Sequence, residues 1–221
     1  MACRVAGRLS QVGGDPAESL VACDLDTSGF AVPGLTCCHV TWAGTLPWPD
    51  GHFDVVYSIE VIEHLENPYA FAREVLRVLV PGGRLVITTP NIHNMTSRVR
   101  TLLCGYPTMF GIVTFKKGDE GDWLGHVTPI VWTTLYACLH RAGAKSIRLH
   151  VDRRKKSSIA LACVAWFWTF AWVTLYRRAL ATGSPDRRGA AGEFDGVLRS
   201  MSSFDILTSR SLVVEAVKGE S

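Results

Sequence analysis

Residues 53 to 91, FDVVYSIEVIEHLENPYAFAREVLRVLVPGGRLVITTPN, constrain this chain more than any other stretch. They read as strand, loop, helix, turn and strand, one complete βαβ crossover. Phe53-Asp54-Val55-Val56-Tyr57 and Leu85-Val86-Ile87-Thr88 are short β-branched or aromatic runs bounded by turn residues, as buried parallel strands should be. Between them Asn67 can cap a helix, Pro68 suits its first turn, and Phe71, Val75 and Leu79 recur at i, i+4 and i+8. Pro81-Gly82-Gly83 then stops it. In an open α/β sheet ligands bind beyond the carboxyl ends of the strands, which is where Ser58, Ile59 and the loop Glu60-Val61-Ile62-Glu63-His64 fall.

This phrase resembles the Rossmann-like (class I) S-adenosylmethionine-dependent methyltransferases, in which the fourth strand, its loop and the fifth strand carry a very similar sequence. Leu46-Pro47-Trp48-Pro49-Asp50-Gly51-His52-Phe53-Asp54 is similar to the family's lead-in to strand four, and Pro81-Gly82-Gly83 to the turn before strand five. The resemblance covers most of the chain. It implies a mostly parallel α/β sheet with an antiparallel last strand, and S-adenosylmethionine as cofactor, its methionine end lined by Ser58, Ile59 and Glu60.

Leu20-Val21-Ala22-Cys23 followed by Asp24 reads as a short buried strand ending in an acid. A helix-capping or turn role would also suit Asp24; the resemblance implies instead that it binds the ribose hydroxyls, because a carboxylate accepts two hydrogen bonds from a vicinal diol. Leu25 would then lie against the adenine. The family's glycine-rich turn should precede this strand, and Gly7 occupies the place of its last glycine, while Cys3-Arg4-Val5-Ala6 supply none of the others. Met1 and Ala2 cannot form the first, central strand. Two readings stay open: a start inside the cofactor motif, so that the domain is N-terminally truncated, or a degenerate, catalytically inactive domain serving as a membrane-attached binding protein. Between Cys37 and Pro49, where the family usually places an acid near the adenine amino group, the chain has His39, Thr41 and Trp42 instead.

Glu60, Glu63 and His64 share one tight segment, and His126 lies in Gly125-His126-Val127-Thr128-Pro129, just before a helix expected over Ile130 to Ala142 with Thr128 as its cap. Two carboxylates and two imidazoles can hold a divalent metal that acidifies a substrate hydroxyl. A similar Glu-x-x-Glu-His pattern with a later His binds magnesium in the small-RNA 2′-O-methyltransferases. Without metal, His64 or His126 suits a general base, with His93 a lesser candidate. The alternative is that the acids contact the cofactor or cap helices while the histidines line the pocket.

A net charge of +3 without a basic stripe argues against a nucleic-acid partner. Seven cysteines without a CxxC pair or zinc spacing read as reduced thiols of a cytoplasmic protein, and residues 1 to 20 lack the apolar core of a signal peptide.

Residues 157 to 176, SSIALACVAWFWTFAWVTLY, carry no charge and are flanked by basic clusters, long enough to span a bilayer. Ala144 to Val151 alternates as a sixth strand, and Ser211 to Val217 reads as the closing, antiparallel one, so a single crossing would leave that strand on the wrong side. The expected division is a methyltransferase core over 1–151, an apolar and basic insertion over 152–205, and a closing strand within 206–221. An interfacial or re-entrant helix at the inner membrane face fits this order, with 182 to 196 as flexible linker; a true span, or a lid buried on protein, are the alternatives. The expected acceptor is a small or lipid-linked molecule, methylated on oxygen.

Overall fold

The computed structural model describes residues 2–40, 45–110, 126 and 128–220, which fall into two compact units, 1–49 and 50–221. The first holds helix α1 (Ala2–Gln11), the short α2 (Pro16–Ser19), and two strands, β1 (Ala22–Asp24) and β2 (Cys37–His39), paired in parallel. Asp15 caps α2 by accepting from Ala17 N, with Pro16 next in line. Two expectations need correction here. β1 begins at Ala22 and includes Asp24, and its side chains are half-buried to exposed rather than buried. Gly7 lies inside α1, with open space where a Cβ would stand, and not in a turn.

The second unit is built on a four-stranded sheet in the order β3-β4-β6-β5. β3 (Phe53–Ile59) runs parallel to β4 (Leu79–Pro90), and between them a 3-10 turn (Ile62–His64) and α3 (Pro68–Arg77) complete the crossover. Asn67 caps α3 from the residue expected, accepting from Ala70 N, and Phe71, Ala72, Val75 and Leu76 form its buried stripe. β4 starts earlier than expected. Leu79 belongs to the strand, and Pro81-Gly82-Gly83 form a bulge within it, since Phe53 pairs with Leu79 but Val55 already pairs with Arg84. Gly82 takes a φ of +77°, and a Cβ on Gly83 would stand 2.8 Å from the carbonyl of Val80, so the bulge needs both glycines.

β6 (Ser211–Lys218), last in sequence, inserts between β4 and β5 (Ala144–Val151) and runs antiparallel to both, with Ile87 and Leu149 opposite Val214. The mixed sheet, its antiparallel last strand and the helical insertion before it form the expected fold. No strand among the described residues lies beyond β3, whose Val55 and Tyr57 are exposed.

After β4 come α4 (Met95–Cys104), capped by Asn94, and α5 (Trp132–Arg141). α5 starts two residues later than expected, and Thr128 does not cap it: Val131 is the N-cap residue. The insertion is helical throughout, as α6 (Lys156–Ala181), α7 (Pro185–Ser200) and α8 (Phe204–Thr208). Residues 182 to 196, expected to be linker, are therefore mostly helix. Ser184-Pro185 is a good helix entrance, and tertiary contacts offset the three interior glycines: Val197 is buried, Phe194 meets Tyr136 edge-on, and Asp195 accepts from both Arg177 and Arg199. α6 turns Ser158 and Ala162 inward, where Ala162 packs with Met95 and Leu207, and turns Val164, Trp168 and Trp172 outward at 72–80% exposure.

Candidate active site

The carboxyl ends of β3 and β4 carry the polar atoms that the protein leaves unsatisfied. Ser58 Oγ, both carboxylate oxygens of Glu63 and Thr89 Oγ1 are buried without a well-formed hydrogen bond, the full set of such side-chain atoms among the described residues. Buried polar groups are nearly always paired, so four orphaned atoms at one strand-end corner mark a place built to receive something.

The chain enters this corner through Glu60, whose φ of +53° is one of two positive values at non-glycine residues among those described. Its amide donates to Thr88 O and lies 3.2 Å from Thr88 Oγ1, locking the exit of β3 onto β4. The following 3-10 turn buries Ile62 fully and with it Glu63. Burial pushes the Glu63 carboxyl up to about 7; the charge of Glu60 adds to the rise, and the approach of the Thr89 hydroxyl opposes it.

Thr128 acts here. Its amide donates to Glu63 O and its hydroxyl to Leu65 O, so that it staples the segment before α5 onto the 3-10 turn. That staple sets the His126 ring 4.9 Å from the His64 ring, edge to face, and 5.1 Å from Phe110. His126 Nδ1 lies 2.9 Å from the carbonyl of Met109, the other such residue at positive φ, +71°. A carbonyl only accepts, so Nδ1 carries the proton and Nε2 the lone pair. Strained backbone on both sides of a polar cluster is typical of a functional site.

Glu63, His64 and His126 each bring one potential ligand atom within 4.8 Å of the other two. Glu60, expected beside them as a metal ligand, is not among the three. His93 serves the fold instead. Its Nε2 accepts from Trp132 N at the entrance of α5, and burial, helped by the charge of Arg98, pushes it down to about 4. It is a neutral structural group rather than a base. His93, Arg98, Pro107 and Pro129 also line an open groove of about 510 Å³ along the segments that neighbour His126.

Asp24 stands exposed at the carboxyl end of β1, where one carboxylate oxygen accepts from the amides of Leu25 and Asp26. Leu25 is 44% exposed. Thr41, Trp42, Gly125 and Val127 lie outside the described residues.

Residues 4–87 match the methyltransferase domain family. Over 104 residues the chain is 49% identical to 2-methyl-6-phytyl-1,4-hydroquinone methyltransferase of Synechocystis sp., a stretch covering 41% of this chain and 33% of that protein. It is 46% identical over 51 residues to tocopherol O-methyltransferase of Arabidopsis thaliana, covering 23% and 15% respectively. Over residues 4–87 this chain is similar to methyltransferase domains. In fold it is similar to a SAM-dependent methyltransferase from Archaeoglobus fulgidus, with a TM-score of 0.54 and 11% identity over 98% of this chain and 82% of that one. The matched stretches span a third or less of the length of these curated relatives. The family's cofactor is S-adenosylmethionine. In the second unit the orphaned Ser58 Oγ stands near the carboxyl end of β3; in the first, Asp24 is exposed at the end of β1 and Gly7 lies inside α1.

The corner also holds partners that sequence reasoning missed. Asn91 donates to Ile206 O and Ser209 O and accepts from His93 N, and Asn94 caps α4 while accepting from Ser158 Oγ on α6. The signal available for the cap was Asn94 itself, a good N-cap residue directly before Met95–Cys104.

Proposed function

We propose that the chain methylates an oxygen of a small or lipid-linked acceptor at a membrane face. The observation that carries this reading is the strand-end corner, where orphaned buried polar atoms and a histidine pair stand together. S-adenosylmethionine supplies an activated methyl group, and the sulfonium is already a good leaving group. The protein's part is alignment and proton removal. Asp24 would hold the ribose, with Leu25 against the adenine; Ser58, Ile59 and Glu60 would line the methionine end. His64 and His126, with Glu63 beneath them, form the group that helps the acceptor hydroxyl lose its proton.

The matched relatives act, by their names, on a phytyl hydroquinone and a tocopherol. An acceptor of that kind, part polar ring and part apolar tail, suits a protein whose longest helix presents tryptophans outward. α6 is long and apolar enough to cross a bilayer by composition, yet α7 and α8 bring the chain back to the same sheet. A helix lying in the interface, with Arg153, Arg154 and Lys155 before it, Lys156 as its first residue and Arg177 and Arg178 near its end, satisfies both facts.

Titration calorimetry of the chain with S-adenosylhomocysteine tests the reading: micromolar binding, weakened at least tenfold by Asp24→Asn, is expected. No binding at millimolar ligand would favour the second reading, a catalytically silent, membrane-attached binding protein. The placement of Gly7 inside α1 is the observation on that side.

A further inference from the structure

We propose that Arg100, Lys155 and Arg210 form a seat for the headgroup phosphate of an anionic phospholipid beside the first turn of α6. The inference rests on the membrane-face reading and deepens it by naming the lipid partner and the residues that hold it.

Three segments far apart in sequence build the seat. Lys155 N donates to Thr208 O at 2.7 Å and Arg210 N to Arg153 O at 2.8 Å, the two bonds of an isolated antiparallel bridge between Arg154 and Ser209. Side chains alternate along such a bridge, so Lys155 and Arg210 share one side of it, while Arg154 takes the other and pairs with Asp205. Helix α4 brings the third cation. Its Thr96 bonds Ser157 and Ser158 at the start of α6, and Arg100, four residues on, lies on the same face of α4.

These charges lack a neutralising partner. Among the described residues none of the three cations forms an ion pair. Arg100 lies over the Tyr106 ring, and the neighbouring Asp152 accepts from Ser211 N. Burial, and then the charges of Arg210 and Arg100, hold the Lys155 ammonium below its ordinary pKa. Like charges gathered in this way repel, and an anion placed among them removes the repulsion. The helix end adds to the same need. Lys155 is the N-cap residue of the 26-residue α6, no side chain caps it, and its first turn holds no acid, so its positive end meets cations only.

A lipid rather than free phosphate follows from the face that leads away from the seat. Ser157, Leu161, Val164, Trp168 and Trp172 recur at i, i+4, i+7, i+11 and i+15, one exposed stripe of α6 that begins beside Thr96 and is apolar after its first residue. A phosphate carrying acyl chains meets both the cations and this stripe; a phosphate alone meets only the cations.

Flotation of the full chain with phosphatidylcholine vesicles, with and without about 20 mol% phosphatidylglycerol, tests the seat. Partition should be at least tenfold stronger with the anionic lipid. The double change Arg100→Gln, Arg210→Gln should remove most of that preference and leave partition into pure phosphatidylcholine unchanged. Arg84→Gln with Lys145→Gln takes away the same charge at the opposite end of the sheet and should keep the preference within about twofold. Should the first double variant misfold by circular dichroism, Arg100→Gln alone, at an exposed position of α4, should still cut the preference at least threefold. Equal partition into both vesicles, or equal loss in the two double variants, would overturn the seat and leave the membrane-face reading standing. Absence of partition into either vesicle would sink both. Calorimetric titration with inorganic phosphate separates the sources: no binding below millimolar phosphate is expected, and submillimolar binding by a chain indifferent to the lipid would overturn the lipid assignment.

Discussion

His93 and Asn91 show how single buried polar residues set the properties of this sheet edge. The folded His93 value of about 4 lies below the ordinary 6.5, so between those limits the unfolded chain takes up a proton that the folded chain refuses. Stability is then complete above about pH 6.5 and falls as pH drops through the window toward 4, by at most about 3 kcal/mol. Urea denaturation at pH 7 and pH 4.5 measures the difference, and His93→Gln should shrink it. Asn91→Ala strands two carbonyls of the α8 segment and the amide of His93, and should cost about 3 kcal/mol in the same assay at pH 7. Neither role could be read from residue type: a histidine after a strand looks like a base until its Nε2 is seen accepting from Trp132 N.

At the scale of elements, the βαβ unit is held by its bulge and the insertion by its inner face. A methyl group on Gly83 would press on Val80 O at 2.8 Å and Asp54 O at 3.1 Å, both backbone atoms that cannot swing aside. Gly83→Ala should therefore destabilise the chain by about 1–3 kcal/mol, read as a lowered Tm. On α6 the two faces separate stability from binding. The inner stripe packs on α4 and α8 through Ala162, whereas Trp168 and Trp172 touch solvent at 74% and 72% exposure. The double change Trp168→Ser, Trp172→Ser should leave Tm within about 2 °C while reducing partition into anionic phospholipid vesicles at least tenfold, measured by flotation. Unchanged partition would remove the membrane-face reading and leave the rest of the proposal standing.

For the molecule as a whole, the division into two units makes a clean demand. Residues 50–221 contain the complete β3-β4-β6-β5 sheet, its covering helices, and Glu63, His64 and His126. Expressed alone, this unit should unfold cooperatively. Cooperative unfolding is seen by circular dichroism in urea.

The amino-acid sequence by itself determined the elements whose signals are local. Asn67 and Pro68 start α3, β-branched runs mark β3 and the latter half of β4, and alternation marks β5 and β6, because caps, period and turn residues act over a few positions. It also placed Glu60, Glu63 and His64 at a strand end, since a βαβ crossover leaves its first loop there. Tertiary structure alone decided what those residues meet. Thr128, a reasonable helix cap by sequence, instead spends both its donors on the 3-10 turn, and only that staple across more than sixty residues brings His126 to His64. The helix over 185–200 likewise exists against its glycine content, through Val197, Phe194 and Asp195. A long-range contact stabilises an element or builds a site without leaving a periodic trace in the residues that make it, so its outcome becomes visible only in the folded chain.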